Sequence, residues 1–383
     1  EIRPGLVFSI DYVRNRGVHF YLTRDANRRF AADTFDRARA EAQIQRTLAR
    51  LGVNTIDEAI AAGATIASFG LFRAFPGVDP TFANVWETQT SGQSKYNALQ
   101  FKLDGRLTNL SPVVRNLFLG ISYTLSRYTA TAGDIDFLNR PVNNDNILFA
   151  SGPSGSRSIL TGAISAGDRT HQLVINSILD FPRGWTISSI WRMATAFPES
   201  LTLPAVFGGN TDIFTIDLEG DGRRVQFLPG TNRGSFGRDV GSIEELNRLI
   251  TQFNNQVAGK FTPAAQQLIN AGLFTAEQLR RLGAVVPTLA LAPANNPMND
   301  SFITTDVRIA KKFTFYDEHI TVEPMVEIFN LFNVANFETI SGELGGAPTD
   351  INGQARRQRR GIGSGSFTQG IPRNIQFGLR VSF

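Results

Sequence analysis

Asn374-Ile-Gln-Phe-Gly-Leu-Arg-Val-Ser-Phe383, the last ten residues, reads as a strand with two unlike faces. Ile375, Phe377, Leu379, Val381 and Phe383 fall on one face, and Asn374, Gln376, Gly378, Arg380 and Ser382 on the other. Successive strand side chains point to opposite faces, so one face is wholly apolar and the other carries no large apolar group. A soluble sandwich strand can alternate in the same way, but soluble termini usually fray into water rather than stop on an aromatic. Lipid outside and water inside account for both features, and the stretch predicts a transmembrane β-barrel.

The same alternation recurs upstream. Residues 6–14 place Leu6, Phe8, Ile10 and Tyr12 on one face; Asn15-Arg16-Gly17 carries a tight-turn signal, and residues 18–23 read as the return strand. In residues 96–107, Leu99, Phe101 and Leu103 oppose Gln100, Lys102, Asp104 and Arg106. Leu117, Leu119, Ile121, Tyr123 and Leu125 then alternate with Gly120, Ser122, Thr124 and Ser126. Two further hairpins are expected, residues 171–181 with 185–195 around Pro182-Arg183-Gly184, and 302–315 with 320–332 around Tyr316-Asp317-Glu318. On this reading Gln100, Lys102, Asp104, Arg106, Asp306, Arg308, Glu323, Glu327, Gln376 and Arg380 are candidate lumen-facing residues.

Short turns alternate with long loops at about residues 24–94, 127–169, 197–300 and 334–371, the rhythm of periplasmic turns and extracellular loops in outer-membrane barrels. The strands number about nine, whereas bacterial single-chain barrels use even numbers. With no signal peptide and a start at Glu1 in apparent mid-strand, the expectation is a C-terminal part of a larger barrel.

Inside the loops the period changes from strand to helix. Residues 35–51 read as helix closed by Gly52, with Thr55 and Glu58 as a capping box for a second helix. The loop 197–300 is far longer than ordinary connections. It is expected to hold a hairpin around Glu219-Gly220-Asp221-Gly222 and helices over 242–257 and 262–282. Leu48, Gly52, Thr55 and Glu58 recur in spacing as Leu268, Gly272, Thr275 and Gln278. A DNA-binding helix-turn-helix has this outline, but capped helical lids over a barrel mouth fit the context better.

Composition narrows the chemistry. The 383 residues hold no cysteine, which removes disulfides, thiolate metal sites and cysteine nucleophiles. The 30 phenylalanines suit the aromatic girdles of a barrel. No apolar run approaches the ~20 residues of a transmembrane helix. Net charge is +4, mostly from arginine, spread over loops and polar strand faces without a nucleic-acid-binding module. Arg356, Arg357, Arg359 and Arg360 form the sharpest cluster, a candidate contact for lipopolysaccharide phosphates or another anion, with a solvated loop as the simpler alternative. His19, His171 and His319 are scattered, without metal-ligand spacing. Residues 217–222 echo a calcium loop but lack its run of oxygen ligands and closing Glu, and a turn is the better reading. No catalytic constellation, metal site or cofactor fingerprint is visible, so no enzyme activity and no cofactor are expected.

Glu327-Ile-Phe-Asn-Leu-Phe-Asn-Val-Ala-Asn-Phe337 followed by Pro372-Arg373 and the terminal strand resembles the C-terminal end of TonB-dependent outer-membrane receptors. Gly92-Gln-Ser-Lys-Tyr-Asn-Ala-Leu-Gln-Phe101 with Ser122-Tyr-Thr-Leu-Ser126 is similar to the Oar-like branch of that family. The resemblance implies an antiparallel barrel of about 22 strands closed by a plug. It also implies energised uptake through TonB, with the plug and TonB-contact segment N-terminal to these residues. Implied partners are outer-membrane lipid and lipopolysaccharide, the TonB complex, the barrel-assembly machinery that reads the terminal signature, and an unidentified substrate, with no nucleic acid. The rivals are a passive porin or a structural or adhesive barrel. A soluble β-sandwich with helical inserts fails on the aromatic terminus and the loop asymmetry.

Overall fold

The computed structural model describes residues 4–130, 167–205, 210–222, 226–292, 301–316, 319–338, 344, 367–368 and 372–383. The strands are β1 (Leu6–Asp25), β2 (Trp86–Thr108), β3 (Asn116–Ala130), β4 (His171–Asp180), β5 (Trp185–Ala194), β6 (Phe302–Lys311), β7 (Phe313–Phe315), β8 (Ile320–Phe329), β9 (Phe337–Glu338), β10 (Phe367–Thr368) and β11 (Asn374–Ser382). One antiparallel sheet runs in the order β1-β2-β3-β4-β5-β6-β8-β11, with β7 pairing β8 beyond the break at Lys312, while β9 and β10 form a separate small pair. The sheet is an up-and-down meander that is not closed; β1 and β11 are its edges.

Register shows how the alternation of single strands adds up. One row across the sheet runs Val7, Asp104, Gly120, Asn176, Ile190, Asp306. The next runs Arg106, Phe118, Ile178, Ser188, Arg308, Glu327, Gln376. Gln100 and Lys102 extend this face along β2, and Glu323 stands opposite Arg380 at the β8–β11 seam. All ten candidate inward residues therefore share one face of the sheet. Lys102 and Asp104 pair along it at 2.7 Å. At Gly120 an added Cβ would lie 2.1 Å from Asn176 Oδ1, so only glycine lets that amide lie across the strand.

The other face is aliphatic in the middle and aromatic towards both ends. Tyr123, Trp191 and Phe332 lie towards the long loops, and Trp185, Phe313 and Phe315 towards the short turns. Trp191 meets Phe332 at 5.8 Å between ring centres. Phe377 is 78% exposed and Leu379 66%. Ser177 and Ser189 fall on this face and hydrogen-bond each other at 2.8 Å, which satisfies two hydroxyls that lipid could not.

Two expectations are corrected. Asn15-Arg16-Gly17 is not a turn: β1 runs straight through it, with Asn15, Arg16 and Gly17 opposite Tyr96, Lys95 and Ser94 of an equally long β2. The glycine answers a different need. An added Cβ at Gly17 would lie 2.2 Å from the Phe20 ring, which folds back where the register shifts and His19 adopts φ 61°. Among the described residues the sheet thus has eight long strands, with the three-residue β7 as its ninth member, and the odd-number inference loses its premise. Secondly, among the described residues no strand pair flanks 219–222; they form a turn gathered around one carboxylate, described below.

At 20 and 23 residues, β1 and β2 are about twice the roughly 9–11 that span a bilayer. Among the described residues β3 accompanies β2 as far as Ser94, opposite Ala130, and β1 and β2 continue beyond it as a paired ribbon on the long-loop side. The ribbon leads into α1 (Arg37–Leu51), α2 (Ile56–Ala61) and α3 (Ile66–Phe69); the β5–β6 connection supplies α4 (Ile243–Gln256), α5 (Pro263–Asn270) and α6 (Ala276–Arg281).

Leu379 lies near the middle of β11 on the apolar face, and Gln376 on the polar one. Leu379→Arg places a charge near mid-depth in lipid, costing roughly 2–4 kcal/mol, and the full-length protein should be depleted from the outer membrane. Gln376→Arg should be tolerated. Quantifying heat-modifiable, folded protein on gels checks this; equal depletion by both changes would reverse the facing assignment.

Candidate functional site

The residues of the long loops do what the strands cannot: they bury apolar surface away from both water and lipid. Among the described residues, the large side chains with the least exposure (Phe69, Leu71, Phe75, Leu201, Phe214 and Phe236 among them) all lie between strands, none within one. They form two clusters. The first draws Ile44, Leu48, Phe69 and Phe75 from residues 26–85 together with Phe214, Leu268 and Leu279 from residues 195–301. Phe75 meets Phe214 edge-on at 5.8 Å and Phe69 meets Phe274 at 5.5 Å, so two loops separated by more than a hundred residues share one core. The second cluster packs Ile250 and Phe253 of α4 on Leu201, Leu228 and Phe236, and takes Leu344 from the loop after β8. Three loops thus build one cap.

The sequence echo at Leu48 and Leu268 is structural. Gly52 (φ 69°) and Gly272 (φ 68°) stop their helices in the left-handed conformation, and the amides of Val53 and Leu273 reach back to Leu48 and Leu268 at 3.1 Å each. Thr55 and Thr275 then cap α2 and α6. The two units pack on each other: Gln278 donates to Asp57 at 3.0 Å, and the Ile66 amide to the Leu282 carbonyl at 2.9 Å.

Arginines fasten the cap to the end of the sheet. Arg238 is partly buried, donates to the Asp168 carboxylate at 2.8 Å, and also donates to the carbonyls of Asp168 and Ala196. Asp168 in turn accepts the Tyr128 amide of β3. Arg233 donates to the Ala130 carbonyl that ends β3. Arg169 stacks on Phe197 at 3.8 Å and donates to the Thr195 carbonyl beyond β5. A guanidinium offers several donors in a fixed plane, which suits the carbonyls that strand ends leave without ladder partners.

A second joint lies at Asp217. Its carboxylate accepts the amides of Gly220, Asp221 and Gly222, and the Gly220 carbonyl then accepts the Ala32 amide of the first loop. An added Cβ at Gly222 would lie 2.5 Å from the Arg29 carbonyl, so the turn approaches that loop as only glycine can. Burial and the Asp221 charge push the Asp217 carboxyl up to about 7, against the three amides that pull it down.

The Asn330-Leu-Phe-Asn333 turn explains the motif in the C-terminal sequence. Asn330 and Asn333 adopt φ 49° and 52°, and the Asn330 side chain bridges the amide and carbonyl of Val334 at 3.0 Å each. The Asn330 amide donates to Asp306, which also meets Arg192 at 3.3 Å on the inward face. Asn333 accepts the Arg373 amide just before β11. Asn336 pairs with both backbone groups of Ile303, as a neighbouring strand residue would.

The other sequence candidates are dispersed. His171 stacks on Tyr123, with Nδ1 2.8 Å from the hydroxyl, on the outward face of the sheet. His19 sits in the β1 irregularity and His319 in the turn before β8. Arg356, Arg357, Arg359 and Arg360 lie outside the described residues. Sequence reasoning missed the joining of the loops and the rim arginines; the available signal was that α1 and α4 each carry an apolar stripe needing a partner.

An antiparallel sheet with an aromatic-bordered apolar outer face, a mixed polar inner face and a loop-built cap defines a membrane β-barrel protein. The chain belongs to the outer membrane beta barrel domain family, whose model matches residues 1–376, and its place is the outer membrane. No curated protein matches the chain.

Breaking the rim joint should loosen the cap and spare the sheet. Arg238→Met leaves Asp168 buried and unpaired, at a cost of about 3–5 kcal/mol. Limited proteolysis should then cut within residues 195–301 at lower temperature while heat-modifiability persists. The Asp217 joint should titrate. The folded cap retains a proton that the unfolded chain, at the ordinary 3.8, releases. Cap stability is therefore undiminished below about pH 4 and falls as pH rises towards 7. Melting of the cap followed between these limits should show that fall in the wild type and a flatter profile in Asp217→Asn.

Proposed function

We propose that this chain is the barrel portion of an energised outer-membrane receptor that imports its substrate into the periplasm through TonB coupling. The observation that carries the reading is the cap. Residues 26–85 and 195–301 are joined by one apolar core above the long-loop end of the sheet. A passive pore gains from an open mouth, whereas a selective receptor gains from a preorganised surface over it. The C-terminal motif supports the same reading, since Asn330, Asn333 and Asn336 tie β6, β8 and the start of β11 together.

On this reading the long loops face outwards, as is general for outer-membrane barrels, and Phe383 ends at the periplasmic side. The polar face from Gln100 to Arg106 and from Asp306 to Arg308 lines the lumen around a plug contributed by N-terminal sequence. The apolar register from Ile375 to Phe383 is the signal read by the barrel-assembly machinery, and lipopolysaccharide surrounds the outer rim. The protein's work is binding and gating rather than bond making.

Planar-bilayer recordings on the full-length protein test the proposal. A plugged receptor should be electrically silent, and protonophore treatment of whole cells should abolish accumulation of whatever solute a deletion strain fails to take up. A steady open-channel conductance would place the chain with passive porins instead.

A further inference from the structure

Residues between 29 and 83 line a half-open cavity of about 600 Å³ on the flank of the cap, and the charge of its wall is one-sided. Arg39 and Arg46 stand two helical turns apart on α1, on the side turned away from its buried Ala40, Ile44 and Leu48. Arg73, from the turn after α3, and Arg29, from the stretch after β1, add two more guanidinium groups. Arg29 stacks on Phe30 at 4.9 Å and Arg73 on Phe72 at 4.7 Å. Stacking fixes a guanidinium's plane while leaving its edge donors available. Gly70 makes the Arg73 position possible: a Cβ there would lie 2.6 Å from Arg73 Nη1.

These arginines differ from their neighbours in pairing. Elsewhere on the same cap Arg28 meets Asp33 at 2.9 Å, Arg37 meets Glu41 at 2.8 Å and Arg281 meets Asp57 at 3.7 Å. Around the cavity, Arg39 has Asp36 at 3.3 Å, while no carboxylate among the described residues pairs with Arg29, Arg46 or Arg73. The nearby Asp79 turns its carboxylate to the Thr81 amide and hydroxyl, at 2.8 and 2.6 Å.

The facing wall is built to hold its shape. Pro76 and Pro80 stiffen it, and Asn27, 3% exposed, clasps it with four hydrogen bonds. Its amide nitrogen donates to the carbonyls of Asp79, Phe82 and Ala83, and its oxygen accepts the Asp79 amide at 2.7 Å. Gly77 at φ 105° allows the close approach, since a Cβ would lie 2.6 Å from the Asn27 carbonyl. Like charges held close with too few counter-charges repel one another, and an anion placed between them relieves that repulsion.

We propose that this cavity binds a small polyanion, a ligand carrying two or more carboxylate or phosphate groups on a compact carbon frame. Guanidinium forks match both anions in two-point geometry. The volume falls within the roughly 300–1,000 Å³ of small-molecule sites. Phe72 and Phe82 offer apolar contact to the frame. The inference rests on the cap as a ligand-facing element but not on energised transport, so open-channel conductance in bilayers would leave it standing.

Isothermal titration calorimetry on the full-length protein in detergent at low ionic strength tests it, with citrate and pyrophosphate as soluble probes and purified lipopolysaccharide in a separate arm. At least one soluble probe should bind, more weakly as salt is added. Arg46→Gln combined with Arg73→Gln should raise Kd at least about tenfold. Both side chains are exposed, so the cap should melt unchanged. Arg37→Gln, whose partner Glu41 lies outside the cavity, should bind as the wild type does. Binding of lipopolysaccharide alone, lost in the double variant, would assign the same chemistry to lipid phosphates rather than to a free solute. Failure of all three probes, or equal affinity in the double variant, would overturn the proposal.

Discussion

Hydrocarbon accepts no unpaired backbone amide or carbonyl, and that constraint governs this chain more than any side-chain contact. Each unsatisfied group would cost several kcal/mol, so a strand can cross lipid only with neighbours on both sides. The meander meets the demand for every long strand between its two edges, β1 and β11. Once the ladder is fixed, the side-chain period of two decides the rest. Each strand must show apolar groups outwards, and its other face is left for water, charge and cavities.

The same constraint turns the usual distribution of apolar residues inside out. In the sheet, Phe377 and Leu379 are exposed because their solvent is lipid. Among the described residues, full burial of large apolar side chains is confined to the cap, where water is the solvent and the hydrophobic effect operates. Each fully buried Leu, Ile or Phe there contributes roughly 1.5–3 kcal/mol. The cap is consequently a small globular body with its own core, tied to the sheet by polar contacts. Buried charge pairing at Arg238 and Asp168 serves that tie well, since strand ends offer carbonyls and amides rather than apolar surface.

Features that depend on local period were legible in the sequence. The two faces of residues 117–125 and 375–383 follow from alternation alone, and the caps at Thr55 and Thr275 from side-chain chemistry three residues apart. Features that depend on distant chain were not. Asn15-Arg16-Gly17 has turn composition, but a turn forms only if the flanking segments pair with each other, and both found a longer partner in β2. Glu219-Gly220-Asp221-Gly222 looks like a hairpin because glycines supply positive φ, whereas the Asp217 carboxylate organises the turn, and its burial depends on another loop. The union of residues 26–85 with 195–301 carries no local code at all. Only the unpartnered stripes of α1 and α4 hinted that something must cover them. The candidate inward residues were placed on one face by alternation, while the cavity of Arg29, Arg39, Arg46 and Arg73 combines one helix face, a turn and a strand exit that no spacing rule connects.

How the cap is anchored bears on what it can do. A lid on a single hinge moves freely, but this cap is held by the β1–β2 ribbon on one side and by Arg169, Arg233 and Arg238 at the ends of β3 and β5 on another. Attachments at the ribbon and at the ends of two further strands oppose rotation about any one of them. The shared core adds a third restraint, because parting the two loops would expose Phe69, Phe75 and Phe214 to water. Large opening would break several of these contacts together, whereas a preformed pocket needs none of them to move. If the cap selects a ligand as proposed, it does so by fit to a fixed wall, in keeping with the Asn27 clasp and the two prolines. Under the proposed transport function, any large motion that passes a ligand onward would therefore fall below the cap, on the polar face of the sheet.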